Sequence, residues 1–166
     1  DTEGHYYIML KSPVQQENIT ILNINAPNNG APTFLKQLLI DLRNEIDRNT
    51  IIVRDFSTPL AVLDRSSRQK VNKDTIDLNY TLEQMDLTNI HRTFHPTTTE
   101  YTFYSTEHGT FSKIDNMIGD KTSLSKFKKI EIIQSTLSDH SEIKLEINSK
   151  RKLQTMQTHG NYITCS

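Results

Sequence analysis

Three short stretches, in fixed order along the chain, each deliver a carboxylate. They are Thr50 to Ser57 with Asp55, Ser112 to Asp115, and Leu137 to Ser141 with the Asp139–His140 pair. Separated acids and one histidine gathered at one spot are what metal-assisted phosphodiester hydrolysis needs. Carboxylates hold a cation and orient water, and a histidine meets the charge that develops on phosphate. Singly, the stretches are unspecific. An aspartate that ends an apolar strand is as often a cap or turn former as a catalytic group. Ser138 to Ser141 also reads as turn chemistry ahead of a strand. The order and spacing of all three carry the argument.

The elements around them read as a layered α/β arrangement. Ile19 to Ile24 is β-rich and stops at the turn cluster Asn25 to Gly30. A helix follows with Pro32 in its first turn, and Phe34, Leu35, Leu38, Leu39, Leu42 and Ile46 fall on one face. Thr50 to Val53 is a β-branched run that predicts a strand buried on both faces. Lys73 to Met85 predicts a second helix with Ile76, Leu78, Leu82 and Met85 apolar. Between the two lies a polar loop with Arg65, Arg68 and Lys70, and Arg92 to Thr99 reads as another loop. Glu100 to Tyr104 and Thr110 to Ile114 predict a hairpin around Ser105 to Gly109. Lys128 to Ile133 and Ser141 to Ile147 predict two more strands. Strand-helix-strand-helix followed by strands predicts an α/β sandwich, with all three aspartates where strands meet loops.

Composition narrows the function classes. The chain has 166 residues, enough for one domain or part of one, and 34% hydrophobic residues, below the usual share of about 45–50%. Net charge is −1, so there is no global basic field for nucleic acid, and contacts of that kind must be local. A single cysteine, Cys165, excludes an intramolecular disulfide and a cysteine-based zinc site. No apolar run approaches the roughly 18 residues of a membrane span, and no signal peptide is apparent. These features predict an intracellular protein, nuclear or cytoplasmic, without a small-molecule cofactor. The start at Asp1, directly before a strand-like segment, reads as a piece of something longer. Residues 1–148 read as a partial domain and 149–166 as a polar, disordered tail.

The segments Ile21-Leu-Asn-Ile-Asn-Ala-Pro-Asn28, Asp55-Phe-Ser-Thr-Pro-Leu60, Leu63-Asp-Arg-Ser-Ser-Arg-Gln-Lys-Val-Asn-Lys-Asp74, Thr99-Glu-Tyr-Thr-Phe103, Ser112-Lys-Ile-Asp115 and Leu137-Ser-Asp-His-Ser141 resemble the endonuclease domain of mammalian LINE retrotransposon polyproteins. That domain is of the exonuclease III, apurinic/apyrimidinic endonuclease and DNase I superfamily. The resemblance implies a four-layered α/β sandwich, here without its N-terminal strands, and Mg²⁺-dependent nicking of duplex DNA at T-rich sites. It assigns Asp55 to the attacking water, Asp139 to metal and nucleophile, His140 to the scissile phosphate and Asp115 to orienting His140. It places Thr102 and Ser112 at the DNA surface and the loop from Tyr104 to Phe111 in the DNA groove.

Departures fall on the site. Ser57 stands where the family has Asn, a residue with two donors and a longer reach; by analogy with a lost oxyanion donor, this costs roughly 10²–10³ in rate. Asn25 stands where the family has a Tyr that reaches phosphate. Arg54 replaces a Gly on a strand predicted to be buried. The family portion that carries the metal-binding Glu has no counterpart in this sequence. These differences predict an endonuclease-like fragment with little or no activity; the other reading is a DNA-binding module that uses the hairpin and Arg65, Arg68, Lys70 and Lys73.

Overall fold

The computed structural model describes residues 7–14, 17–56, 58–67, 70–135, 138–148 and 162–165, with Ser12, Val14, Glu17, Arg54, Asp55 and Tyr162–Cys165 described by backbone. The strands are β1 (Tyr7–Val14), β2 (Glu17–Ile24), β3 (Thr50–Asp55), β4 (Leu87–Asn89), β5 (Phe103–Ser105), β6 (Thr110–Ser112), β7 (Asp115–Asp120), β8 (Phe127–Ile133), β9 (Glu142–Ile147) and β10 (Tyr162–Cys165). The α-helices are α1 (Ala31–Asp41), α2 (Lys73–Gln84) and α3 (Ile90–Phe94). The main sheet has the order β1-β2-β3-β7-β4, and a second sheet has the order β10-β9-β8. β2 and β3 are parallel, joined by α1, while β3 and β7 are antiparallel with Asp55 opposite Asp115.

Alternation in the central strands produces the layers. On β3, Ile52 faces a core shared with Leu22, Ile24, Leu35, Leu39, Leu78, Leu82 and Ile118, which places α1 and α2 on one face of the sheet. Its neighbours Ile51 and Val53 turn the other way, into a core with Met117, Phe127, Ile130, Ile143 and Leu145, which places the second sheet on the opposite face. Each of these buried aliphatic or aromatic side chains contributes about 1.5–3 kcal/mol of transfer free energy. The described residues therefore form a mixed α/β sandwich of helices, sheet and sheet, as the sequence pattern predicts.

The helices follow local rules. α1 begins after Gly30, whose φ of 72° suits glycine, with Pro32 in the first turn. It ends at Asp41, earlier than the periodicity to Ile46 predicts; Ile46 still packs partly on the helix-side core. α2 starts where the Asn72 side chain accepts from Thr75 N at 2.8 Å, an N-cap that stabilises by about 1 kcal/mol. Leu78 and Leu82 are buried, but Ile76, grouped with them by period, faces solvent.

Two elements depart from the sequence-based expectation. The segment 92–99 is not all loop, because α3 occupies its start, capped by Asn89 Oδ1 accepting from Arg92 N at 3.0 Å. β7 is a fully embedded strand between β3 and β4. Asn116 hides it in the sequence, yet this amide is buried and satisfied: its Nδ2 donates to Ile114 O and its Oδ1 accepts from Asn89 Nδ2. Gly119 lets β7 approach α3, since a Cβ there would lie 3.1 Å from Ile90 Cδ1. Residues 149–161 and 166 of the expected tail lie outside the described residues, and Tyr162–Cys165 pairs with β9 as β10.

Candidate functional site

β7 puts Asp115 on the face that carries Met117, toward the second sheet, and that sheet supplies His140 just before β9. His140 Nδ1 lies 3.0 Å from Asp115 Oδ2. Asp115 is 5% exposed. A carboxylate can only accept in this bond, so Nδ1 carries the proton donated to Asp115, and Nε2 is left for a partner outside the pair. The sequence-based pairing of Asp115 with His140 is thus present in the structure.

A row of four backbone segments builds the wall around this pair. β5 and β6 form the predicted hairpin, with Phe103 opposite Ser112 and Tyr104 opposite Phe111. Arg65 bridges to Ser112 on one edge and His140 to Phe103 on the other, both antiparallel. Cross-strand partners share a face, so Arg65, Ser112, Phe103 and His140 stand side by side, with the rings of Phe103 and His140 4.8 Å apart. Gly109, at φ 61°, makes the hairpin turn in a left-handed conformation that favours glycine. Together with Asn28, Pro59, Ser67, Ser105, His108, Thr110, Phe111 and Ile114, the row lines an open cleft of about 750 Å³.

Thr102 is the keystone of this wall, and its position corrects an expectation. It is 1% exposed, so its hydroxyl is withdrawn from any DNA surface. Its Oγ1 accepts from the amides of Ile114 at 3.2 Å and Asp115 at 3.1 Å, while its backbone N donates to Ser112 O and its carbonyl accepts from Ser141 N. Thr102 therefore fixes both Asp115 and the segment that carries His140. Ser112 does line the cleft. Asn25 is exposed just beyond β2, at the same end of the sheet as Asp55, and Asp139 is exposed beside His140 with Ser138 Oγ 3.5 Å from its Oδ1. The side chains of Asp55 and Arg54, and Ser57, Arg68 and Leu137 as a whole, lie outside the described residues. Among the described residues no three of His, Cys, Asp and Glu come together in a metal-binding group.

A second charged cluster lies directly behind the cleft, and sequence reasoning missed it. Lys113, one residue after Ser112, is 1% exposed, and its Nζ donates to His91 Nδ1 at 2.9 Å. His91 Nε2 in turn lies 3.0 Å from Glu100 Oε2. Asp64, also buried, pairs with Arg92 and accepts from Ala61 N at 2.8 Å, and its carbonyl accepts from Lys113 N at 2.7 Å. Burial, reinforced by the Lys113 charge, holds the His91 pKa down at about 3. The ring is therefore neutral, accepting at Nδ1 and donating at Nε2. Burial also lowers Lys113 to about 8, with Asp64 opposing the shift. The only signal in the sequence was the Leu63 to Asp74 motif, which reads as a loop and ends up supplying a buried anion.

No family model matches the chain. Solved structures do. The 3′–5′ exonuclease NExo from Neisseria meningitidis superposes with a TM-score of 0.66 at 18% identity, covering 79% of this chain and 62% of its own. The endonuclease domain of TRAS1, a telomere-specific non-LTR retrotransposon, gives 0.69 at 14%, covering 88% and 65%. An AP endonuclease from Archaeoglobus fulgidus gives 0.69 at 14%, covering 85% and 65%. The chain has the endonuclease/exonuclease/phosphatase fold. It spans just under two thirds of the length of these relatives of the fold. At such identities the likeness is one of architecture, and it matches the α/β sandwich built above from alternation and packing. Among the described residues no helix is long and apolar enough to cross a membrane.

Proposed function

We propose that this chain is a LINE-type DNA endonuclease-like fragment that binds duplex DNA at the Asp115–His140 cleft and cleaves it poorly or not at all. The observation that carries the reading is the 3.0 Å contact between His140 Nδ1 and Asp115 Oδ2 at the edge of an open cleft. With Nδ1 bound to the carboxylate, Nε2 is the ring nitrogen left to meet a phosphate oxygen as charge develops on it. Asp139 stands next to it as an exposed carboxylate, and Asp55 opposes Asp115 across β3 and β7. Mg²⁺ is commonly held by one or two carboxylates plus phosphate oxygens. Asp139 would be its ligand in this chain, with DNA supplying the remainder, and the ion would activate water and neutralise phosphate charge.

Weak activity follows from the two replacements. Asn25 has a short side chain where the LINE pattern has a tyrosine, and Ser57 offers one donor where an amide offers two. The same cleft suits a non-catalytic DNA-binding role. The hairpin is tied on both edges and holds its shape without substrate, and its contacts would be mostly to backbone and groove shape. T-rich sites in duplex DNA and a nuclear or cytoplasmic setting are the corresponding partner and place.

A plasmid-nicking assay with Mg²⁺, run beside a salt titration of duplex binding, tests the proposal. The expected outcome is salt-sensitive binding with no nicking above background. Nicking by the native chain that disappears in both Asp139→Ala and His140→Ala overturns the inactive part. Absence of any duplex binding overturns the whole.

A further inference from the structure

We propose that the outer face of the hairpin, Tyr104 with Phe111, is a stacking platform for an unpaired nucleobase of single-stranded DNA. The inference rests on the DNA reading above and adds to it the state of the DNA that the chain prefers. Two large aromatic rings stand exposed on this face, Tyr104 at 39% and Phe111 at 48%. They pair across the strands with centroids 4.6 Å apart and a tilt of 40°. Behind them Tyr101 stacks on Phe111 at 5.9 Å and 28°. The three rings form a short ladder with Phe111 in the middle and Tyr104 at its open end.

A cross-strand aromatic pair can exist simply to hold a hairpin together. This hairpin has other means. Phe111 N donates to Ser66 Oγ at 3.0 Å and Phe111 O accepts from Ser66 N at 2.9 Å. On the other edge Tyr104 N donates to Asp139 O at 3.2 Å. With both edges anchored in backbone bonds, the exposed rings are surplus to local stability, and apolar surface of this kind marks a contact site.

The chemistry selects the occupant. Every base has a π-face, and stacking on aromatic side chains tolerates any sequence. Bases within a duplex have both faces covered by neighbours, so a base free to extend the ladder is an unpaired one.

Fluorescence anisotropy with three labelled probes of equal length tests this: a single strand, the matching duplex, and a strand with its bases removed. Tyr104→Leu keeps apolar bulk and removes the π-face, and Tyr104→Phe restores the ring. The expected result is roughly tenfold weaker single-strand binding in Tyr104→Leu, recovery in Tyr104→Phe, and a smaller loss on duplex. The abasic strand should bind the native chain as weakly as the normal strand binds Tyr104→Leu. Equal single-strand affinity in native chain and Tyr104→Leu overturns the platform, as does an equal loss on duplex. Native chain that binds duplex but not single strand overturns the platform and leaves the DNA reading standing. Native chain that binds neither overturns both.

Discussion

Two clusters of charged side chains lie two residues apart, at Lys113 and at Asp115, and they differ in every respect that matters for chemistry. Lys113, His91, Asp64 and Arg92 are bonded to one another behind the cleft, with Lys113, His91 and Asp64 nearly inaccessible. His140 lines the cleft with Asp115 buried behind it, and the imidazole keeps one nitrogen outside the pair. In the first cluster, water is excluded and each side chain is bonded to a neighbour, which is what rigid scaffolding requires. In the second, His140 Nε2 has no bond among the described residues, which is what a ligand requires. Ionisable residues close in sequence can thus be separated into support and site by asking which still has a bond to make.

The sharpest way to break that distinction is to remove the buried cation. Lys113→Met keeps the chain length but leaves His91 Nδ1 without its donor. Urea unfolding should record a loss of about 1–3 kcal/mol, the cost of leaving a buried acceptor unsatisfied. A loss below about 1 kcal/mol would mean the cluster is solvated like an exposed one.

The next effect is the response to pH. His91 has a folded pKa of about 3 against 6.5 ordinarily, so between these values the unfolded chain binds a proton that the folded chain refuses. Stability should fall as pH drops from 6.5 toward 3. His91→Gln should flatten that part of the curve relative to the native chain, measured by denaturant midpoints across the range. Lys113 works in the alkaline range. With a folded pKa of about 8 against 10.5, it should make stability rise with pH between those values.

Smaller effects belong to the cleft. His140→Ala should cost only about 1 kcal/mol in unfolding, the worth of one hydrogen bond, while weakening duplex binding at the cleft. Ser112→Ala should change stability by less than about 0.5 kcal/mol, because it is the Ser112 carbonyl that accepts from Thr102 N. Calorimetric unfolding beside duplex titration separates these two quantities for each variant.

The contrast also explains what could be read from sequence. β3 was legible because Thr50 to Val53 is a continuous β-branched run with a core on each side. Asp115 and His140 were legible because carboxylate–histidine chemistry advertises itself by residue type. β7 was not, since Asn116 and Gly119 look like loop residues until a partner amide and the close approach of Ile90 account for them. Thr102 was misplaced at the DNA surface because a hydroxyl near a site reads as a contact, whereas burial turns it into an acceptor for two backbone amides. Lys113 gave no signal, since a lysine in a polar stretch is ordinarily solvated. Its burial depends on an anion and an imidazole contributed from distant parts of the chain.

The side-by-side row of Arg65, Ser112, Phe103 and His140 bears on the order of folding. Two of its neighbours, β5 and β6, meet through a short turn, but the flanking segments arrive from far along the chain. Closing such long loops is slow, and nothing is gained until the central sheet and second sheet have docked. The row is therefore assembled late and lost early. Helical signal from α1 and α2 will persist in partly unfolded populations that have already dissolved the cleft. Amide exchange at Ser66, Tyr104 and Ser141, whose N–H groups stitch the row together, is the observable that reports whether the site exists.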